Sequence, residues 1–579
     1  MTRGKARKYN DFMKKIGKML FALFLLGAAA WAEKFSVQKT DVYINSLEKK
    51  DSWNLCFFKS EGKIPYVDLA DALNKVYGEN FCSVKNGAEN WTIVRNDNGA
   101  TVEIDQEAEK IIFSDFDLFR KMNGAASLLD IVKEFDWISH EAASYETRGY
   151  SIDIQYESFA INVFVQDGAC YIPLQTFNDI FAAPSLGTIL WNGKDIFFVQ
   201  GSETLCAQDG SLSELGKKYY EIQPAPLDKE LADFNLRELA LNLQLNYGLR
   251  DRHGIQKFSE WFDSRGLFEP LSSTDSYDSD IALAELCYKY LGDLHSSFEF
   301  RSPHTDTEKA EQDKKITPSP SNKRIRASFE DATKMRASFF PSGIPGFQKI
   351  GDTAYITFDS FWSGGRDYAE EPLSKEEKAA ILADYPSSGI DTFGLVHFAN
   401  EMIQADKKIR NVVVDISCNA GGSLDAETFA ACWLLGKCEL QIQQSLTGCQ
   451  SSTAYTADVN FDGEFATAAD TVRDRRLFCL VSDITFSCGN LLASTLSESG
   501  KATLIGSKTG GGACAVYLTS TASGAVFKTS SLWRFSAEKN GAFNDIDDGV
   551  LPDYKLTELR SFYNRSEKNG LTAFIRKLY

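Results

Sequence analysis

The chain has 579 residues, 43% hydrophobic and 12% aromatic, a composition that excludes an intrinsically disordered protein. Its length exceeds what one core organises, so about three or four domains are expected. The formal net charge of −18 excludes nucleic acid and anionic membrane surfaces as general partners, since both repel an acidic protein.

Residues 1–18 carry seven basic side chains and one Asp, residues 19–29 are an unbroken run of apolar and small side chains, and Ala30-Trp31-Ala32 offers an A-x-A cleavage site. That order predicts a secretory signal peptide over 1–32 and a periplasmic or extracellular protein. The apolar run is short for a bilayer span, and no later run is long enough for one. Cleavage removes a net +6 and leaves the mature chain at −24. Twelve cysteines include no CxxC, and several, among them Cys170, Cys287, Cys432 and Cys479, lie in apolar runs as buried free thiols do. The five histidines are not near paired cysteines, so no zinc site, other metal or cofactor is expected.

Residues 33–226 read as short strands with turn residues. Two pieces resemble each other: Ile64 to Leu73 followed by Trp91 to Val94, and Tyr171 to Ile180 followed by Trp191 and Ile196 to Val199. Each reads as a strand, a proline-opened helix and a return strand, which predicts a duplicated α+β module. The pattern resembles the small domain at the N-terminus of some copper amine oxidases, without metal ligands, and is expected to act as a spacer or docking domain. Residues 227–300 switch to helical spacing, with Leu236, Leu239 and Leu243, then Phe258 and Phe262, then Ile281, Leu283, Leu286 and Tyr290. Residues 301–340 are rich in Lys, Glu, Asp, Ser and Pro, as in a polar loop or linker.

Residues 341–579 alternate strand and helix, as a mixed α/β core does. The β-branched run Val412 to Ile416 breaks into Ser417-Cys418-Asn419-Ala420-Gly421-Gly422-Ser423, followed by a helical stretch from Leu424 to Leu435 and a stop at Gly436. A strand from Leu477 to Val481 runs into Thr485-Phe486-Ser487-Cys488-Gly489-Asn490 and a helix. A serine at that junction has its hydroxyl among free backbone N–H groups, which marks Ser487 as a candidate nucleophile.

Five segments in order, LGDLH (291–295), DISCNAGG (415–422), TFSCGN (485–490), IGSKTGGG (505–512) and GVLPD (549–553), resemble the serine peptidase family of tail-specific and tricorn core proteases. The resemblance spans roughly 230–560. It implies an α/β fold with a ClpP/crotonase-like catalytic core and a helical subdomain that delivers a histidine, here preceded by the duplicated small α+β domain. It also implies an exported serine endopeptidase that forms an acyl-enzyme on peptide or protein substrates. Some 40 residues at 301–340 are too few for the PDZ domain many relatives carry there.

Tail-specific proteases place a lysine base about 25 residues after the serine, where this chain has Gly512; Lys508 is the nearest alternative for a Ser-Lys dyad. The tricorn-like branch uses a histidine, and His295 stands at that position as the expected general base. The third member, a carboxylate just before GVLPD, is expected to be Asp547, with Asp545 second. Backbone N–H groups of Gly421 or Gly422 and of Cys488 are the expected oxyanion donors. Asn490 stands where many relatives carry Glu. A competing reading is a peptidase fold retained as an inactive binding or scaffold protein.

Overall fold

The computed structural model describes residues 34–579 apart from 87–90, 123, 134, 185–186, 207–210, 307–318, 365, 371, 386–388, 538–542 and 557; the signal peptide expected over 1–32 lies outside the described residues. The N-terminal region builds two sheets. One has seven strands in the order Phe164–Gln166, Ala169–Pro173, Tyr66–Asp68, Lys49–Phe58, Phe35–Ile44, Ile196–Val199, Thr188–Trp191. The other is a five-stranded antiparallel sheet from Cys82–Asn86 to Ile152–Gln155. The two similar pieces meet directly: Tyr66–Asp68 pairs antiparallel with Ala169–Pro173, Val67 opposite Ile172. They then diverge. The first return strand, Trp91–Arg95, joins the five-stranded sheet, whereas Ile196–Val199 stays in the seven-stranded one. Only the second helix opens on its proline, Pro173. The first, Leu69–Tyr77, opens on Asp68, whose Oδ1 accepts from Ala70 and Asp71 N–H, the usual capping chemistry.

The region is more than a spacer. Strands Ile138–His140 and Tyr145–Glu146 pair with Gln450–Ala457, more than 300 residues away in sequence. Leu128, Leu129 and Trp137 are buried in the same core as the C-terminal α/β elements.

Helix α1 (Lys229–Asn246) buries Leu236, Leu239 and Leu243 against Phe258, Phe262, Leu283 and Leu286, as their spacing predicts, and the helical part ends in strand β1 (Ser297–Phe300). Residues 320–339, expected as loop, form helix α2 (Pro320–Phe339). Ser319 caps it, its Oγ accepting from Asn322 N–H, with Pro320 in the first turn. Its Lys, Arg, Ala, Glu and Met content favours helix although most of the surface stays in water. Ala332, fully buried, with Ile325, Met335 and Phe339 forms a packed stripe in a cluster containing Phe562 and Tyr563.

The core centres on a six-stranded sheet in which β2 (Thr353–Thr357), β3 (Asn411–Asp415), β5 (Arg476–Val481) and β6 (Ala502–Gly506) run parallel. Helix α3 (Leu424–Leu435) follows β3, and β4 (Gln450–Ala457) belongs to a second, antiparallel sheet. Helix α4 (Cys488–Ser499) links β5 to β6, after which β7 (Cys514–Ser520) and β8 (Val526–Ala537) complete the antiparallel sheet, β1 pairing with β8. The β-branched runs are buried on both faces, as parallel strands are. Val412, Val414 and Cys479 pack under α3 and α4, while Val413, Phe478 and Leu480 face Phe562, Leu571 and Ile575. Alternation thus sends neighbouring residues into different cores, and the carboxyl ends of β3, β5 and β6 converge. Among the described residues, no helix is long and apolar enough to cross a membrane.

Candidate active site

Ser487 is the residue immediately before α4, held at φ 55° and ψ −125°. A non-glycine residue at positive φ is uncommon and strained, and here hydrogen bonds on both sides impose it. Phe486 N–H donates to Asn419 O (3.0 Å), Ser487 N–H to Gly511 O (2.9 Å), and Thr485 Oγ1 to Ile416 O (2.8 Å). The three turns after β3, β5 and β6 therefore lock together around one serine. Below them, Asp415 is fully buried and pairs with Arg565 at 2.9 Å while accepting from Ser417 Oγ at 2.6 Å.

Gly421 and Gly422 have φ of 107° and 138°, and a Cβ on Gly421 would sit 2.6 Å from Ser487 Cβ; only glycine allows this approach. The two are not equivalent donors. Gly421 N–H is already given to Asn419 Oδ1 at 2.7 Å, which removes it from the expected oxyanion pair. Gly422 and Cys488 N–H form no backbone hydrogen bond among the described residues. The Cys488 thiol donates to Gly422 O (3.2 Å), and burial pushes its pKa well up, so it is held as a neutral thiol rather than a competing thiolate. Asn490 ties the neighbouring turns together, giving Nδ2–H to Ile546 O (2.9 Å) and accepting from Thr509 Oγ1 (2.6 Å).

His295 is buried, its ring against Phe486 with centroids 4.7 Å apart. Its Nδ1 lies 3.2 Å from Ser530 Oγ, and Ser530 Oγ–H donates to Asp293 Oδ1 at 3.2 Å. That direction leaves the serine oxygen to accept Nδ1–H, so the neutral ring carries its lone pair on Nε2. Nε2 is buried without a hydrogen-bond partner among the described residues, so the bond to Ser487 is not formed in this structure. Asp293 is held by His295 N–H (3.0 Å), Ser296 N–H (2.8 Å), Ser296 Oγ (2.7 Å) and Tyr247 Oη (2.8 Å). Burial lowers the His295 pKa below its ordinary value; Asp293 and then Asp547 push it back up.

Asp547 does not take the place expected of it. No hydrogen bond joins it to His295 among the described residues; its Oδ1 accepts Ala513 N–H (2.9 Å) and its Oδ2 faces Arg252 (3.4 Å). Asp545 pairs with Arg534 (2.5 Å) and Arg252 (3.5 Å). Sequence reasoning missed Asp293 and Ser530. Asp293 is the acid of the LGDLH segment itself, whereas Ser530, 237 residues on, carries no local signal. Gly512 has φ 83°, and a Cβ there would strike the Phe486 ring, so an aromatic side chain fills the space where relatives are expected to place lysine. Lys508 points elsewhere, lining a cavity with Ser482, Asp483 and Lys555.

Beside Ser487 lies a cavity of about 250 Å³ whose walls include Leu424, Leu491, Val516, Phe535 and Ile546. Among the described residues, no group of three or more His, Cys, Asp or Glu is arranged to hold a metal ion, and Cys170, Cys287, Cys432 and Cys479 are buried free thiols.

An α/β core with a strained serine at a helix start, beside a buried histidine and a glycine turn, defines a serine-type peptidase. Residues 352–556, about a third of the chain, match the model of peptidase family S41. Three solved structures are similar to the chain. The photosystem II D1 C-terminal processing protease is 20% identical over 35% of this chain and 42% of its own, with a TM-score of 0.25. Mature CPAF complexed with lactacystin is 11% identical over 60% and 98%, with a TM-score of 0.35. The tricorn protease is 13% identical over 44% and 19%, with a TM-score of 0.23. This chain thus spans less than half the length of the first and a fifth of the last. No curated protein matches the chain significantly.

Proposed function

We propose that the chain is an exported serine endopeptidase that hydrolyses peptide bonds through an acyl-enzyme on Ser487, with His295 as general base. The observation that carries this reading is the buried, unpartnered Nε2 of His295 on a ring packed against Phe486, the residue before Ser487. A buried nitrogen without a partner is costly, and the Ser487 hydroxyl is the group that would satisfy it. Hydrogen bonds at such sites often form only with substrate bound.

In the proposed reaction Ser487 Oγ attacks the carbonyl carbon as its proton passes to Nε2. The imidazolium formed is compensated through Nδ1–H, Ser530 and Asp293, the role a buried acid plays in serine triads. Gly422 and Cys488 N–H receive the oxyanion. The imidazolium then protonates the leaving amine, and water, deprotonated by His295, hydrolyses the ester. Export rests on the 1–32 segment alone. The Ser-Lys alternative has less support, since Lys508 lines a different cavity. Turnover of an unstructured protein such as casein tests the reading: wild type should cleave it and Ser487→Ala should not. Cleavage retained in Ser487→Ala would refute it.

A further inference from the structure

The cavity beside Ser487 has a wall that comes from outside the S41-matching region. Ile131, in the irregular segment 125–133, lines it together with Leu424 and Leu491 of the core. We propose that Ile131 sets the size limit of this cavity, and that the substrates are peptides with a medium-sized aliphatic side chain at the residue whose carbonyl Ser487 attacks; this rests on the nucleophile reading above.

Three observations carry it. Among the described residues, the walls hold no charged side chain, and Leu424, Leu491, Ala515, Val516 and Phe535 present hydrocarbon, so an apolar group gains by entering. A volume of about 250 Å³ is below the ~300–1,000 Å³ of sites that take whole small ligands, and suits one side chain. The wall is also fixed. Asp130 is buried and accepts from Tyr455 Oη (2.7 Å), Val132 N–H (3.0 Å) and Ala126 N–H (3.1 Å). Ser127 Oγ meets Ser451 Oγ at 2.9 Å, and Lys133 N–H donates to Asp425 Oδ1 at 2.5 Å. The backbone on both sides of Ile131 is therefore tied to β4 and to the start of α3, the helix that follows the Gly421-Gly422 turn. A pocket wall held this firmly discriminates by size rather than yielding to the larger side chain.

The test uses the full chain with Ile131→Phe and Ile131→Ala, and peptidyl diphenyl phosphonates bearing Ala, Leu or Phe next to phosphorus, which modify the serine without requiring turnover. Wild type should react fastest with Leu. Ile131→Phe should lose roughly 10–200-fold for Leu relative to Ala, the scale of a changed apolar pocket, and Ile131→Ala should shift preference toward Phe. Reaction of every form with a small alkyl fluorophosphonate at the wild-type rate would establish that folding and Ser487 are intact. Unchanged Ala:Leu:Phe ratios in both variants, with that control preserved, would overturn the role of Ile131 while sparing the nucleophile. Absence of reaction with any probe in wild type would overturn both.

Discussion

At the scale of single residues, the groups around the imidazole of His295 govern its protonation. Neutral imidazole is the form that accepts the serine proton, and burial lowers its pKa. Activity should therefore rise with pH to a plateau whose midpoint lies below the ordinary value of about 6.5, read as kcat/KM against pH; a midpoint near the lysine range would contradict it. His295→Ala should cost at least about 100-fold, whereas Lys508→Ala should cost little. Asp293→Asn removes the charge that Ser530 relays, so it should lower kcat by at least about 100-fold and shift the midpoint further down. Ser530→Ala should shift the profile the same way. Asp547→Asn, which leaves both hydrogen bonds in place, should cost less; the reverse order would return the acid's role to Asp547. Ser487, His295 and the Gly421-Gly422 pair could be named as candidates from the sequence because each sits inside a recognisable local motif. The contact of Asp293 with Ser530 could not, because whether a carboxyl reaches a serine on a distant strand leaves no local mark.

At the scale of elements, α3 was legible to the residue, since Gly436 ends it at φ 86°, whereas for α4 only the start was. Helix α2 was not, because a helix with one thin packed stripe has the composition of a solvated loop. Helix α3 also carries Glu427, fully buried with neither carboxyl oxygen hydrogen-bonded among the described residues. Burial raises its pKa from 4.5 to about 8. The folded chain keeps a proton that the unfolded chain releases, so stability falls as pH rises between those values. Glu427→Gln should abolish this loss and gain on the order of a few kcal/mol over wild type by pH 8.5. Urea unfolding at pH 5 and pH 8.5 measures it; a wild-type-to-variant difference independent of pH would count against a buried carboxyl.

At the scale of the whole molecule, the N-terminal region and the peptidase core are one construction. Its short strands were legible, but the pairing of Ile138–His140 with β4 was not, because long-range register leaves no mark in a three-residue strand. A chain beginning at Leu227 would lose that edge pairing and expose the core around the buried Leu128, Leu129 and Trp137, each worth about 1.5–3 kcal/mol when buried. It should unfold at lower temperature and lose peptidase activity; a truncated chain with the full-length Tm and rate would contradict this. The central claim, that Ser487 is a nucleophile activated by His295, is tested most directly by the site and rate of fluorophosphonate modification. Mapping the modified peptide in wild type, Ser487→Ala and His295→Ala should place the adduct on Ser487 alone, absent from the first variant and formed at least about 100-fold more slowly in the second. An adduct on another residue, or an undiminished rate in His295→Ala, would contradict the account.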